Sequence, residues 1–122
     1  MMELHLSRRA KNRNNILAVD DDTAYRHLLG MKLGSYGLRH VVVESADRAT
    51  EVMLPETYTG VITDGLFGQW DKVVNAADHL GIRAVVLTAD EDLVKDLVRQ
   101  GQPAVYKVED YAIETAIQVV LL

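Results

Sequence analysis

Five short runs of β-branched and apolar residues alternate with segments of helical period, and this alternation is the strongest constraint on the fold. The runs are Ile16-Leu17-Ala18-Val19, His40-Val41-Val42-Val43, Gly60-Val61-Ile62-Thr63, Ala84-Val85-Val86-Leu87 and Ala104-Val105-Tyr106. Each has strand length and is almost wholly apolar, the pattern of parallel strands covered on both faces. Between them, Tyr25, Leu28, Leu29, Leu33 and Tyr36 share a helical face that stops at Gly37. Ala46, Ala49, Val52 and Met53 share a second, with Ser45 as N-cap and Pro55 as terminator. Val73, Ala76, Ala77 and Leu80 form a third face before Gly81, and Leu93, Val94, Leu97 and Val98 a fourth before Gly101. Ile113, Ala116, Ile117, Val120 and Leu121 form the fifth, with Asp110 as its expected N-cap. The 107 residues from Ile16 to Leu122 are too few for an eightfold barrel of about 250 residues. The expected fold class is therefore α/β, a doubly wound five-stranded parallel sheet with helices on both faces.

Residues 1–15 break this pattern. They carry Arg8, Arg9, Lys11 and Arg13 among asparagines and lack apolar periodicity, so they read as a basic, flexible arm preceding a single domain over 16–122. The domain needs no covalent staple at this length. With no cysteine in the chain, thiolate catalysis, disulfides and Cys-ligated metal sites are excluded. A net charge of −5 argues against nucleic-acid binding by the domain itself. No apolar run approaches the roughly 18 residues of a membrane span and no secretory h-region opens the chain, so the expectation is a cytoplasmic protein without membrane contact.

Open parallel sheets bind ligands outside the carboxyl ends of their strands, where the strand order reverses. At those ends stand Asp20, Asp21 and Asp22 after the first run, Asp64 after the third, Thr88 after the fourth and Lys107 after the fifth. Asp22 and Asp90 suit helix caps. Asp20, Asp21 and Asp64 would repel one another by several kcal/mol at effective dielectrics near 20 unless a cation intervened. An all-oxygen set without His or Cys selects a hard ion, Mg²⁺ or Mn²⁺, over softer metals. Lys107 adds a cation able to pair with a carboxylate at rest and with a phosphoryl oxygen afterwards, and Thr88 adds a hydroxyl. Carboxylates, metal, Lys and hydroxyl are the parts of phosphoryl transfer onto an aspartate nucleophile.

These residues resemble the receiver domains of two-component response regulators over about residues 15–120. Ile16-Leu17-Ala18-Val19-Asp20-Asp21-Asp22 resembles the family's first strand and acidic pair, and Arg26 and Gly37 fall where the family places them. Val61-Ile62-Thr63-Asp64 resembles the strand bearing the phosphoacceptor, Val85-Val86-Leu87-Thr88-Ala89 the strand ending in the switch Thr-Ala pair, and Tyr106-Lys107 the lysine position. The resemblance implies Asp64 as phosphoacceptor, with Thr88 and Lys107 holding phosphoryl oxygens. It implies Mg²⁺ (or Mn²⁺) held by Asp20, Asp21, Asp64 and the Leu66 carbonyl. It also implies a histidine kinase or phosphotransfer protein as donor, and a homodimer or an output protein bound through the fourth and fifth helices. Such a domain is not an enzyme beyond catalysing its own phosphorylation and dephosphorylation.

The chain departs from the family's pattern after Asp64, where Gly65-Leu66-Phe67-Gly68-Gln69-Trp70 makes a short loop. Val108 replaces the proline that ordinarily follows the lysine across a cis bond; a non-proline cis peptide costs about 2.5–4 kcal/mol, so a trans bond and a differently aimed Lys107 are expected. Ala104 stands where the family's switch aromatic lies, with Tyr106 beside the lysine instead. Phe67 and Trp70 beside Asp64 read either as packing or as a lid. Two other readings stay open: a binding module of receiver fold not regulated by phosphorylation, and a haloacid-dehalogenase type phosphatase with its nucleophile at Asp20. Against the latter, Ala24 stands where that family's D-x-D-x-T/V run has Thr or Val.

Overall fold

The computed structural model describes residues 14–122. Five strands, β1 (Asn15–Val19), β2 (Arg39–Val43), β3 (Gly60–Thr63), β4 (Arg83–Thr88) and β5 (Ala104–Tyr106), alternate with five helices, α1 (Thr23–Ser35), α2 (Ala46–Val52), α3 (Trp70–His79), α4 (Glu91–Arg99) and α5 (Ala112–Leu121). The strands form one parallel sheet in the order β2-β1-β3-β4-β5. This is the doubly wound α/β sheet expected from the alternation. The chain leaves β1 in one direction for β2 and returns to its other side for β3, so the order reverses between β1 and β3.

Strand alternation explains why two apolar layers form. Leu17 and Val19 point to one side of the sheet, where they pack with Val61 and Val86 against Ala46 and Ala49 of α2, Val73 and Ala77 of α3 and Leu97 of α4. Ile16 and Ala18 point to the other, where they join Ile62, Val85 and Leu87 against Leu29 and Leu33 of α1 and Ala116 and Ile117 of α5. Each fully buried Leu or Ile contributes about 2 kcal/mol. Gly60 is required at its position, since a Cβ there would lie 2.7 Å from the Val120 Cβ.

The caps explain where the helices start. The Asp22 carboxylate accepts from the Ala24 and Tyr25 N–H groups, Ser45 Oγ from Arg48 N–H and Asp90 from Leu93 N–H, as expected. Asp110 is not the cap of α5. Tyr111 takes that place in a left-handed conformation (φ 61°) with no side-chain cap bond. Leu28 on α1 and Val98 on α4 belong to the expected apolar faces yet are exposed, Val98 by 58%. The expected arm falls mostly outside the described residues, and Asn15 belongs to β1, paired with Arg39. Among the described residues no helix is long and apolar enough to cross a membrane.

Candidate functional site

Sheet register sets the site. Val19 pairs with Thr63, so β1 and β3 end at the same level and release Asp20 and Asp64 side by side at the switch point. Their backbones continue the ladder for one more bond each, Asp20 N–H to the Val43 carbonyl and Asp64 N–H to the Val19 carbonyl. β4 runs two residues past the Thr63 to Val86 pairing and ends at Thr88, opposite Tyr106. Lys107 N–H donates to the Thr88 carbonyl at 2.8 Å, which starts the lysine side chain from the same edge. The peptide after Lys107 is trans, no cis bond being present among the described residues.

Asp20, Asp21 and Asp64 each offer a carboxylate oxygen within 4.8 Å of the others. Lys107 Nζ donates to Asp20 Oδ2 at 2.6 Å and to Asp64 Oδ1 at 2.7 Å. The expectation that Lys107 would be aimed differently without a following proline is therefore corrected: the side chain is long enough to reach both carboxylates from a trans backbone. The Tyr25 ring, missed as a site residue because its spacing places it on the apolar face of α1, lies 4.1 Å below Lys107 Nζ. Burial pushes the Tyr25 hydroxyl up to about 12, so it stays a neutral wall against the cation.

Each carboxylate is oriented by backbone. Asp20 Oδ1 accepts Asp22 N–H at 2.9 Å, and Asp64 Oδ2 accepts Leu66 N–H at 3.1 Å. Arg26 Nη1 donates to the Asp20 carbonyl and Nη2 to Thr23 Oγ1, fixing the turn into α1. Asp20 is 1% exposed; desolvation raises its carboxyl above the ordinary 3.8, more than Lys107 and the Asp22 N–H pull it down. For Lys107, burial alone would depress the ammonium, yet its bonds to two carboxylates together raise it. Both shifts are upward, for different reasons: burial disfavours the Asp20 anion, while two carboxylate partners hold Lys107 in its charged form.

The donor set fits a hard divalent ion. The carboxylates approach closely, each bonded oxygen retains a lone pair, Asp21 is exposed, and no His or Cys intrudes. The Leu66 carbonyl accepts Gln69 N–H at 3.1 Å and keeps a second lone pair. Thr88 is buried at the end of β4, its Oγ1 accepting Asp90 N–H at 3.2 Å. Its hydroxyl abuts the loop after Asp64: a Cβ on Gly65 would sit 3.1 Å from Thr88 Oγ1. Trp70 packs on the α3 side of the core, whereas Phe67 is 99% exposed and belongs to neither apolar layer.

No family model matches the chain, and no curated protein matches it. Solved structures do. The response regulator protein TrrA from Thermotoga maritima, in complex with Mg(2+)-BeF, is 23% identical over 89% of this chain and 99% of that one, with a TM-score of 0.72. The non-phosphorylated HemR receiver domain from Leptospira biflexa is 20% identical over 89% and 95%, with a TM-score of 0.67. A de novo designed Rossmann 2x3 fold protein also reaches 0.72, at 10% identity and 86% coverage of both chains. A designed chain superimposes as well as a natural response regulator, so the likeness establishes the fold and leaves the chemistry to the residues. The fold of this chain is the doubly wound sheet of response-regulator receiver domains.

Proposed function

We propose that this domain is a signalling receiver whose Asp64 accepts a phosphoryl group from a histidine kinase or phosphotransfer protein. The observation that carries the reading is the bridging of Asp20 and Asp64 by Lys107 Nζ beside a third carboxylate, at the point where strand order reverses. Asp64 presents two oriented oxygens, one held by Lys107 and one by Leu66 N–H. In the transfer, an Asp64 oxygen forms the O–P bond while the bond from phosphorus to the donor breaks, its electron pair leaving with the donor. A carboxylate nucleophile carries no proton to be removed by a general base. Asp20, Asp21, Asp64 and the Leu66 carbonyl would hold Mg²⁺ (or Mn²⁺). Such an ion supplies charge neutralisation and in-line positioning.

In this reading Lys107 exchanges Asp64 for a phosphoryl oxygen while keeping Asp20, and the Thr88 hydroxyl, which accepts from Asp90 N–H, donates its proton to another. That exchange is the differential contact a switch requires. The likeness to TrrA in complex with Mg(2+)-BeF supports this reading. The exposed Val98 on α4 and Leu122 after α5 support these helices as the surface for a second copy or an output protein. The domain turns over no substrate of its own beyond its phosphoryl group, and acts in the cytoplasm.

The test is labelling by acetyl phosphate with Mg²⁺, followed by peptide mapping. Wild type is expected to be labelled at Asp64 and Asp64→Asn to lose at least 100-fold, on the scale of removing a nucleophile. Label at Asp20 would indicate a phosphatase instead, and no label a binding module independent of phosphorylation.

A further inference from the structure

The turn after Asp64 holds its backbone in an unfavourable form. Leu66 (φ 51°), Phe67 (φ 54°) and Gly68 (φ 94°) are successive left-handed residues, and the first two carry a Cβ that disfavours this region. Leu66 is buried, so its conformation is repaid by packing, but the Phe67 ring is 99% exposed. Nothing in either apolar layer uses it. The ring instead forms one wall of a cleft of about 200 Å³ shared with Asp21, Glu44, Ser45, Leu66 and Gln69, the liquid volume of roughly six or seven waters. The cleft adjoins Asp64, since Leu66 donates its N–H to Asp64 Oδ2.

The lining selects a ligand class. Beside Asp21 of the metal set, it offers an aromatic face, the Glu44 carboxylate, a hydroxyl and an amide, and no basic side chain. Such a cleft repels a phosphate or carboxylate and suits a flat ring that bears an N–H and positive charge. Resting on the reading of Asp64 as phosphoacceptor, we infer that this cleft receives the imidazole leaving group of an N-phosphoimidazole donor, with Phe67 against the ring and Glu44 accepting its N–H.

The chemistry balances. In the reactive donor the ring nitrogen remote from phosphorus is protonated and the ring is cationic. Asp64 forms the O–P bond as the P–N bond breaks. The P–N electron pair returns to the ring, which departs as neutral imidazole with its remaining N–H. A carboxylate that accepts this N–H favours the protonated donor and so the better leaving group. Phe67 and Glu44 are positioning residues here: they touch the leaving group and not the transferred phosphoryl.

Two donors with the same P–N chemistry isolate the subsite: phosphoimidazole, which leaves as a ring, and phosphoramidate, which leaves as ammonia. Asp64 labelling of the full chain with Mg²⁺ gives a rate for each. In wild type the ratio favours phosphoimidazole, and Phe67→Ala and Glu44→Gln are each expected to lower it about tenfold, the worth of one stacked ring or one charge-assisted hydrogen bond. Both side chains are exposed, so both variants should unfold at the wild-type temperature. A ratio unchanged in both variants, with Asp64 still labelled, overturns the subsite and leaves the acceptor standing. Wild type labelled by neither donor overturns the acceptor and the subsite together.

Discussion

Two buried carboxylates in this domain meet a lysine, and they behave oppositely. At the sheet edge Lys107 lies 2.6 Å from Asp20 and 2.7 Å from Asp64. In the seam between α1 and α5, Glu114 receives Lys32 Nζ at 2.9 Å and the Tyr36 hydroxyl at 3.1 Å on one oxygen. Desolvation acts upward on both acids. Glu114, with a cation and a hydroxyl to itself, is nonetheless held below its ordinary 4.5, whereas Asp20, more strongly desolvated and sharing Lys107 with Asp64, is held above 3.8. Burial alone therefore does not mark a functional carboxylate. The clusters differ in charge: Glu114 faces Lys32, whereas Asp20, Asp21 and Asp64 gather around a single lysine.

Removing each cation or acid sharpens the contrast. Lys107→Met leaves three carboxylates in one crevice with no base and is expected to cost about 3 kcal/mol in urea unfolding, part of it restored by Mg²⁺. A loss below about 1 kcal/mol would place Lys107 among ordinary surface pairs. Glu114→Gln keeps the shape of the second cluster and loses only its charge, so about 1.5 kcal/mol is expected near neutral pH. Because Glu114 is lowered on folding, that contribution exists above 4.5 and fades as the pH falls through its lower folded value. The variant and wild-type stability curves should thus converge in acid. Asp20 has the reverse sign: raised on folding, it withdraws stability as the pH rises through its folded value. The smallest effect is ligand linkage. Mg²⁺ at a few times its dissociation constant should add about 1 kcal/mol to wild type and to Glu114→Gln, and little to Asp21→Asn. An equal response in all three would remove the ion from the acidic site.

The sheet and the gathering of Asp20, Asp21, Asp64 and Lys107 were legible in the sequence because strand-end position is a one-dimensional property. It follows from where an apolar run stops. The features that escaped depend on three-dimensional exceptions. Glu114 interrupts the apolar face of α5 and reads as an error in the pattern until Lys32 and Tyr36, some eighty residues earlier, are seen to satisfy it. The left-handed turn at Leu66 and Phe67 carries no Asn or Asp, the residues that announce such backbone. For α5 the sequence offered a good cap in Asp110, yet the chain placed Tyr111 there in left-handed geometry. Glu44 stands just past β2, exposed and unremarkable until the cleft with Phe67 is visible.

Lys107 has one more consequence, which follows from the brevity of β5. That strand pairs with β4 through only Ala104, Val105 and Tyr106, and it forms an open edge of the sheet. The lysine immediately after it crosses to Asp64 just past β3 and Asp20 just past β1, two and three strands inward. It is a clasp that ties the last βα unit to the first and third, across 87 residues of chain. Charge at the crevice and order at the edge are therefore one quantity: whatever takes Asp64 away from Lys107 also slackens the hold on the end of the sheet.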